Sequence, residues 1–88
     1  MRVEFLKKFS KDLDLIKAKS AKHSLVHLIE LMEEVDGLDK IPNIRKLKGH
    51  KNAYRVRLGD YRLGFFFDST TITLARFLHR KDIYKLFP

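Results

Sequence analysis

Between Leu25 and Val35, apolar side chains fall at Leu25, Leu28, Ile29, Met32 and Val35, while His27, Glu30, Glu33 and Glu34 occupy the positions between them. Offsets of three and four keep these apolar residues in one stripe along an α-helix. Gly37 supplies the residue at which such a helix ends. Upstream, Ser10 is a candidate N-cap, Asp12 follows in the first turn, and Leu13 and Ile16 share a face. That pattern predicts a first helix from about Lys11 to Ala18, which forms a hairpin with the second. Before them, Met1–Phe5 offers Val3 and Phe5 as the apolar positions of a short strand.

The helical period does not continue past Gly37. Asp36–Lys51 is punctuated by Gly37, Pro42, Asn43 and Gly49 and reads as irregular chain. From Tyr54 the period becomes two: Tyr54, Val56 and Leu58 alternate with Arg55 and Arg57. Gly59-Asp60 is a two-residue turn signal, and Tyr61–Phe67 is the returning strand. Ser69-Thr70 marks a second turn into Thr71–Leu78, and Asp82–Phe87 suits one short helical turn. The expected fold class is α+β: an N-terminal strand, a helical hairpin, then a three-stranded antiparallel sheet with a short C-terminal helical turn. Residues 1–88 form a single domain, since a second core does not fit in this length.

The hairpin fixes which side chains share a surface. With Gly59 and Asp60 as the loop, Leu58 faces Tyr61, Arg57 faces Arg62, Val56 faces Leu63 and Arg55 faces Gly64, and opposed residues project to the same side. One side collects Tyr54, Val56, Leu58, Tyr61, Leu63, Phe65 and Phe67, enough for a core. The other collects Arg55, Arg57, Arg62, Gly64 and Phe66. Directly opposed like charges destabilise a hairpin by a few tenths to about 1 kcal/mol. An anionic ligand removes that repulsion, and arginine forks suit phosphate oxygens. Gly64 leaves room for a close backbone, and Phe66 is either a stacking face for a base or ordinary core packing.

The charge distribution supports the same reading. The net charge is +8, and residues 1–42 contribute nothing to it, carrying eight Lys/Arg and eight Asp/Glu. Residues 43–88 carry eleven Lys/Arg against Asp60, Asp68 and Asp82, so the whole excess lies in the C-terminal half. Clustered positive charge of this kind suits a polyanionic partner. There is no cysteine, which excludes disulfides, thiolate metal sites and a cysteine nucleophile, and fits a reducing cytoplasm. No apolar run approaches a membrane span, and no signal-peptide core is evident, so the expectation is a cytoplasmic protein without a membrane partner.

Three segments carry a family resemblance: Leu47-Lys48-Gly49, then Tyr54-Arg55-Val56-Arg57-Leu58-Gly59-Asp60-Tyr61-Arg62-Leu63, then His79-Arg80-Lys81-Asp82-Ile83-Tyr84. They resemble the C-terminal half of toxins of the RelE/ParE superfamily, closest to the RelE branch, and the predicted element order matches that fold over essentially the whole chain. The resemblance implies a toxin of a toxin–antitoxin pair. RelE members cut mRNA in the ribosomal A site, whereas ParE members poison DNA gyrase on the same scaffold, and fold alone does not choose between them.

For the RelE branch, the resemblance implies attack of a 2′-hydroxyl on the adjacent phosphate, leaving a 2′,3′-cyclic end and a 5′-hydroxyl. It places Arg62 and Arg80 as charge stabilisers and Tyr84 as proton acceptor. Arg55, Arg57, Lys48, Phe66 and Lys81 are the expected RNA-binding positions. Some relatives carry lysines at Arg55 and Arg57. Since arginine is a poor proton donor, His79 is a candidate acid, or else a sheet-end residue with no proton to give. No metal or cofactor enters this scheme. The implied partners are a cognate acidic antitoxin, mRNA in the A site and ribosomal RNA, with Lys7, Lys8 and Lys11 either touching ribosomal RNA or simply solvated. His23 and His27 stand at metal-pair spacing without a third ligand nearby, and Glu33-Glu34 reads as a solvated helix face. The alternatives are a ParE-like gyrase inhibitor and an inactive antitoxin-binding member.

Overall fold

A computed structural model describing residues 1–88 shows the expected hairpin: β3 (Ala53–Leu58) and β4 (Tyr61–Asp68), with Arg57 opposite Arg62, Val56 opposite Leu63 and Leu58 opposite Tyr61. Gly59 has φ +59°, the conformation a two-residue hairpin turn asks of its first central residue. β5 (Thr71–His79) runs antiparallel to β4, and a bulge at Ala75 shifts the register, so that Phe65 faces Leu74 while Gly64 faces Arg76. β1 (Arg2–Phe5) pairs in parallel with β5 and forms one edge of the sheet.

The other edge is a strand within Asp36–Lys51, which the sequence predicts to be irregular. β2 (Ile44–Lys46) pairs with β3, so the order is β1-β5-β4-β3-β2 and the sheet has five strands. β2 is only three residues long and sits between Pro42-Asn43 and a turn containing Gly49. A period of two barely registers over that length. Asn43 enters the strand at φ +59°, a conformation that asparagine tolerates better than most side chains.

The first helix is also displaced from its expected span. α1 is Lys7–Leu15, so Ser10 lies inside it and caps nothing, and Leu6 is the N-cap residue without a side-chain bond. α2 is Lys19–Glu34, and the irregular link beyond it includes a 3-10 turn at Leu38–Lys40. Phe9, Leu25, Leu28 and Met32 from the two helices bury against Val56, Leu63, Phe65, Ile72, Leu74 and Phe77. Tyr54 and Tyr61 lie on this same side half-buried, with Tyr54 stacked on Phe65.

The opposite side of the sheet carries a second, smaller core. α3 (Arg80–Leu86) returns across it and buries Ile83 and Phe87 against Ala53 and Ala75. A seven-residue helix is too short to persist alone, so these contacts hold it. Each buried side chain of this size contributes about 1.5–3 kcal/mol. The residue that makes the approach possible is Gly64: a Cβ there would meet the Phe87 ring at 2.6 Å. Space left by Gly64 is therefore filled by the protein's own aromatic ring and not by a ligand. Phe66, an expected stacking face, is half-buried with its ring 5.3 Å from that of Phe87. Of the two readings of Phe66, the structure favours packing.

Candidate functional site

Beside α3, the same side of the sheet stays open. Arg55 and Arg57 project from β3, Arg62 from β4, and Arg45 from β2, where it stands directly across from Arg55. Together with Asn43, Ile44 and Tyr84 they line a cleft of about 340 Å³. None of these four arginines, nor Arg80, has a carboxylate partner. The cleft is thus a concentration of unpaired cations on a rigid sheet.

Two of the arginines are held in place, one by backbone carbonyls and one by an asparagine side chain. Arg62 Nη1 donates to the carbonyls of Gly59 at 2.7 Å and Tyr61 at 2.9 Å, so the hairpin turn fixes its guanidinium. Arg57 Nη2 donates to Asn43 Oδ1 at 3.4 Å, and Arg57 N to the Asn43 carbonyl at 3.2 Å, which joins β2 to the site. Donors fixed before a ligand arrives lose little freedom on binding it.

Tyr84 comes from α3. Its neighbour Ile83 is buried, which turns Tyr84 outward: it is 68% exposed, and the Arg55 guanidinium carbon lies 4.5 Å from its ring centre. A cation over an exposed aromatic face contributes roughly 0.5–1 kcal/mol. Here it keeps a hydroxyl-bearing ring among the cations. Arg80 is exposed one helical turn earlier, on the same side of α3 as Tyr84. Its backbone N–H donates to the Asp60 carbonyl at 2.7 Å, tying the start of the helix to the hairpin turn.

A family assignment follows from comparison with known proteins. The family described as "ParE toxin of type II toxin-antitoxin system, parDE" matches residues 3–84. Toxin RelE3 of Methanocaldococcus jannaschii is 39% identical over 89 residues, covering all of both chains. The chain belongs to the RelE/ParE family of type II toxins. Among solved structures, a chain of the RelB-RelE antitoxin-toxin complex from Methanococcus jannaschii has 38% identity and a TM-score of 0.80, covering 97% of this chain and 99% of that one. A chain of the archaeal RelE-RelB complex from Pyrococcus horikoshii OT3 shares the fold, at 24% identity and TM-score 0.72, covering 90% and 93%.

Within this RelE/ParE-family domain, the cleft brings together Arg55, Arg57, Arg62 and Tyr84 of the expected residues, whereas Arg80 does not line it and stands one helical turn before Tyr84. His79 is not among them. It pairs across the sheet with Tyr61, on the face that packs against the helices, and its ring contacts Tyr61 edge-on at 5.6 Å. Its Nδ1 accepts from Lys81 N at 3.2 Å, so His79 is the N-cap of α3. Lys48 and Lys81 are exposed and line no part of the cleft. Arg45 is the residue the sequence reading missed. Its strand carries little signal: the adjacent cations Arg45 and Lys46 between Ile44 and Leu47 show no alternation of period two.

Proposed function

We propose that this RelE/ParE-family toxin is a ribosome-dependent endoribonuclease that cuts mRNA in the ribosomal A site. The observation that carries the proposal is Tyr84 lying under Arg55 beside a cleft of unpaired arginines. Cleavage by a 2′-hydroxyl needs a proton acceptor and cations for the phosphorane, and both are at hand. In this reading Tyr84 acts as the phenolate and takes the 2′-hydroxyl proton as the new O–P bond forms. Arg62 and Arg80 receive the charge that builds on the non-bridging oxygens, while Arg45, Arg55 and Arg57 hold the flanking phosphates. The bond to the 5′ oxygen then breaks, giving a 2′,3′-cyclic phosphate and a 5′-hydroxyl. With His79 on the far side of the sheet, the leaving oxygen takes its proton from water, and the hydroxide left behind removes the proton from Tyr84 and restores the phenolate.

The partner that restrains this activity is a cognate acidic antitoxin segment that covers the arginine cleft. Complementary charge makes its association fast and sensitive to salt. A related structure is described as an antitoxin–toxin complex, which supports this reading. Primer extension on a transcript after brief expression tests the proposal: discrete cuts within translated regions are expected. The ParE description of the matching family favours a second reading, a DNA gyrase poison. That reading predicts uncut transcripts and double-strand DNA breaks, and gives Tyr84 no role as a base.

A further inference from the structure

Asp12 and Arg76 form the one ion pair whose two side chains are both largely buried. The pair takes no part in the arginine cleft. β1 ends at Phe5 while β5 continues to His79, so the later part of β5 has no strand on that side. Asp12 stands in for one: its Oδ2 accepts from Phe77 N at 3.1 Å and from Arg76 Nε at 2.7 Å, and its Oδ1 accepts from Arg76 Nη2 at 3.0 Å. The hydrogen bond to Asp12 is the main reason the Arg76 guanidinium is held above its ordinary pKa, against the opposing effect of partial burial.

Two prongs of the Arg76 fork are thereby committed to α1. The third, Nη1, reaches the carbonyl of Leu86 at 3.5 Å, in the last turn of α3. A cation at that end suits the partial negative charge of the terminal carbonyls. The contacts run from α1 through β5 to the helix that carries Tyr84. We infer that Asp12 is a positioning residue, which through Arg76 sets where α3 places the Tyr84 hydroxyl against the arginine cleft. The inference rests on the RNA-cleavage reading. A planar fork fixed at two points directs its third prong, which a lysine ammonium at the same position does not do.

The test uses the full chain with Arg76→Lys and Asp12→Asn, read by amide hydrogen exchange and by single-turnover cleavage of mRNA on programmed ribosomes. Arg76→Lys keeps a charge for Asp12 and so separates anchoring of α3 from loss of the buried pair. Faster exchange at residues 84–87 is expected with β3 and β4 unchanged, as is a roughly 10- to 100-fold slower cleavage step with unaltered ribosome affinity. In a Tyr84→Phe background the same substitution should slow cleavage no further. Unchanged exchange at residues 84–87 in Arg76→Lys overturns the inference, as does an equal loss of rate with and without the Tyr84 hydroxyl. Asp12→Asn should reproduce the Arg76→Lys rate loss. A folded Asp12→Asn protein with full cleavage rate overturns the inference too. Failure of the unsubstituted protein to cut mRNA instead overturns the cleavage reading, and the exchange result still decides whether Arg76 anchors α3.

Discussion

The Arg55 guanidinium carbon lies 4.5 Å from the centre of the Tyr84 ring, so a sheet cation and a helix phenol meet across the join between β3 and α3. Most of the contact depends on the ring and the hydroxyl is free to do chemistry. Tyr84→Phe keeps the stacking and removes only the oxygen. Cleavage of ribosome-bound mRNA should fall roughly 10²-fold or more if Tyr84 is the base. Thermal stability should stay within experimental error of the unsubstituted protein. Single-turnover kinetics beside a melting curve checks both.

Arg62 is fixed by two carbonyls of the hairpin turn before any ligand arrives. Arg62→Ala removes a preorganised cation and should reduce the cleavage rate by about 10²–10³. Arg80→Ala should likewise reduce it sharply. Circular dichroism and a thermal melting curve report whether each variant keeps its fold, which both should.

Arg57 and Arg62 are directly opposed like charges. Replacing the exposed member with a neutral residue of high strand propensity, Arg57→Thr, should stabilise the free protein by some tenths to about 1 kcal/mol. The same variant should bind RNA more weakly, with a shallower dependence of affinity on salt. Denaturant unfolding and salt titration of RNA binding measure the two halves of this exchange. A loss of stability in Arg57→Thr would show that the pair is not in conflict in the free protein.

Gly64 is where the Phe87 ring closes on the sheet. Gly64→Ala forces the ring outward and should cost about 1–3 kcal/mol of stability through overpacking. With Phe87 displaced, α3 shifts and Tyr84 with it, so cleavage should fall while β3–β4 amides keep their protection from exchange.

The hairpin was legible because a two-residue turn fixes its register, and that register assigns every side chain from Tyr54 to Phe67 to one face or the other. The same logic was available for His79: its partner Tyr61 lies on the helix-facing side, which removes the imidazole from the arginine cleft. Other features depend on long-range packing that no local pattern displays. Asp12 read as a first-turn acid because Ser10 looked like a cap, whereas the helix starts at Lys7 and turns Asp12 into the protein against Arg76. The sequence leaves Phe66 between stacking and packing, and Gly64 as room for a close backbone, because nothing in the spacing of Asp82–Phe87 shows that α3 folds back over them. Arg45 is not legible because its three-residue strand, Ile44-Arg45-Lys46, shows no alternation and stands between a proline and a glycine.

RNA cleavage by the arginine cleft and Tyr84 is tested by end-group analysis of mRNA recovered from a reconstituted translation reaction containing the purified toxin. The prediction is a 2′,3′-cyclic phosphate on the upstream fragment and a 5′-hydroxyl on the downstream one, at A-site codons, only when ribosomes are present and not with Tyr84→Phe. Intact mRNA in that reaction, together with inhibition of DNA gyrase supercoiling by the same protein, would contradict it.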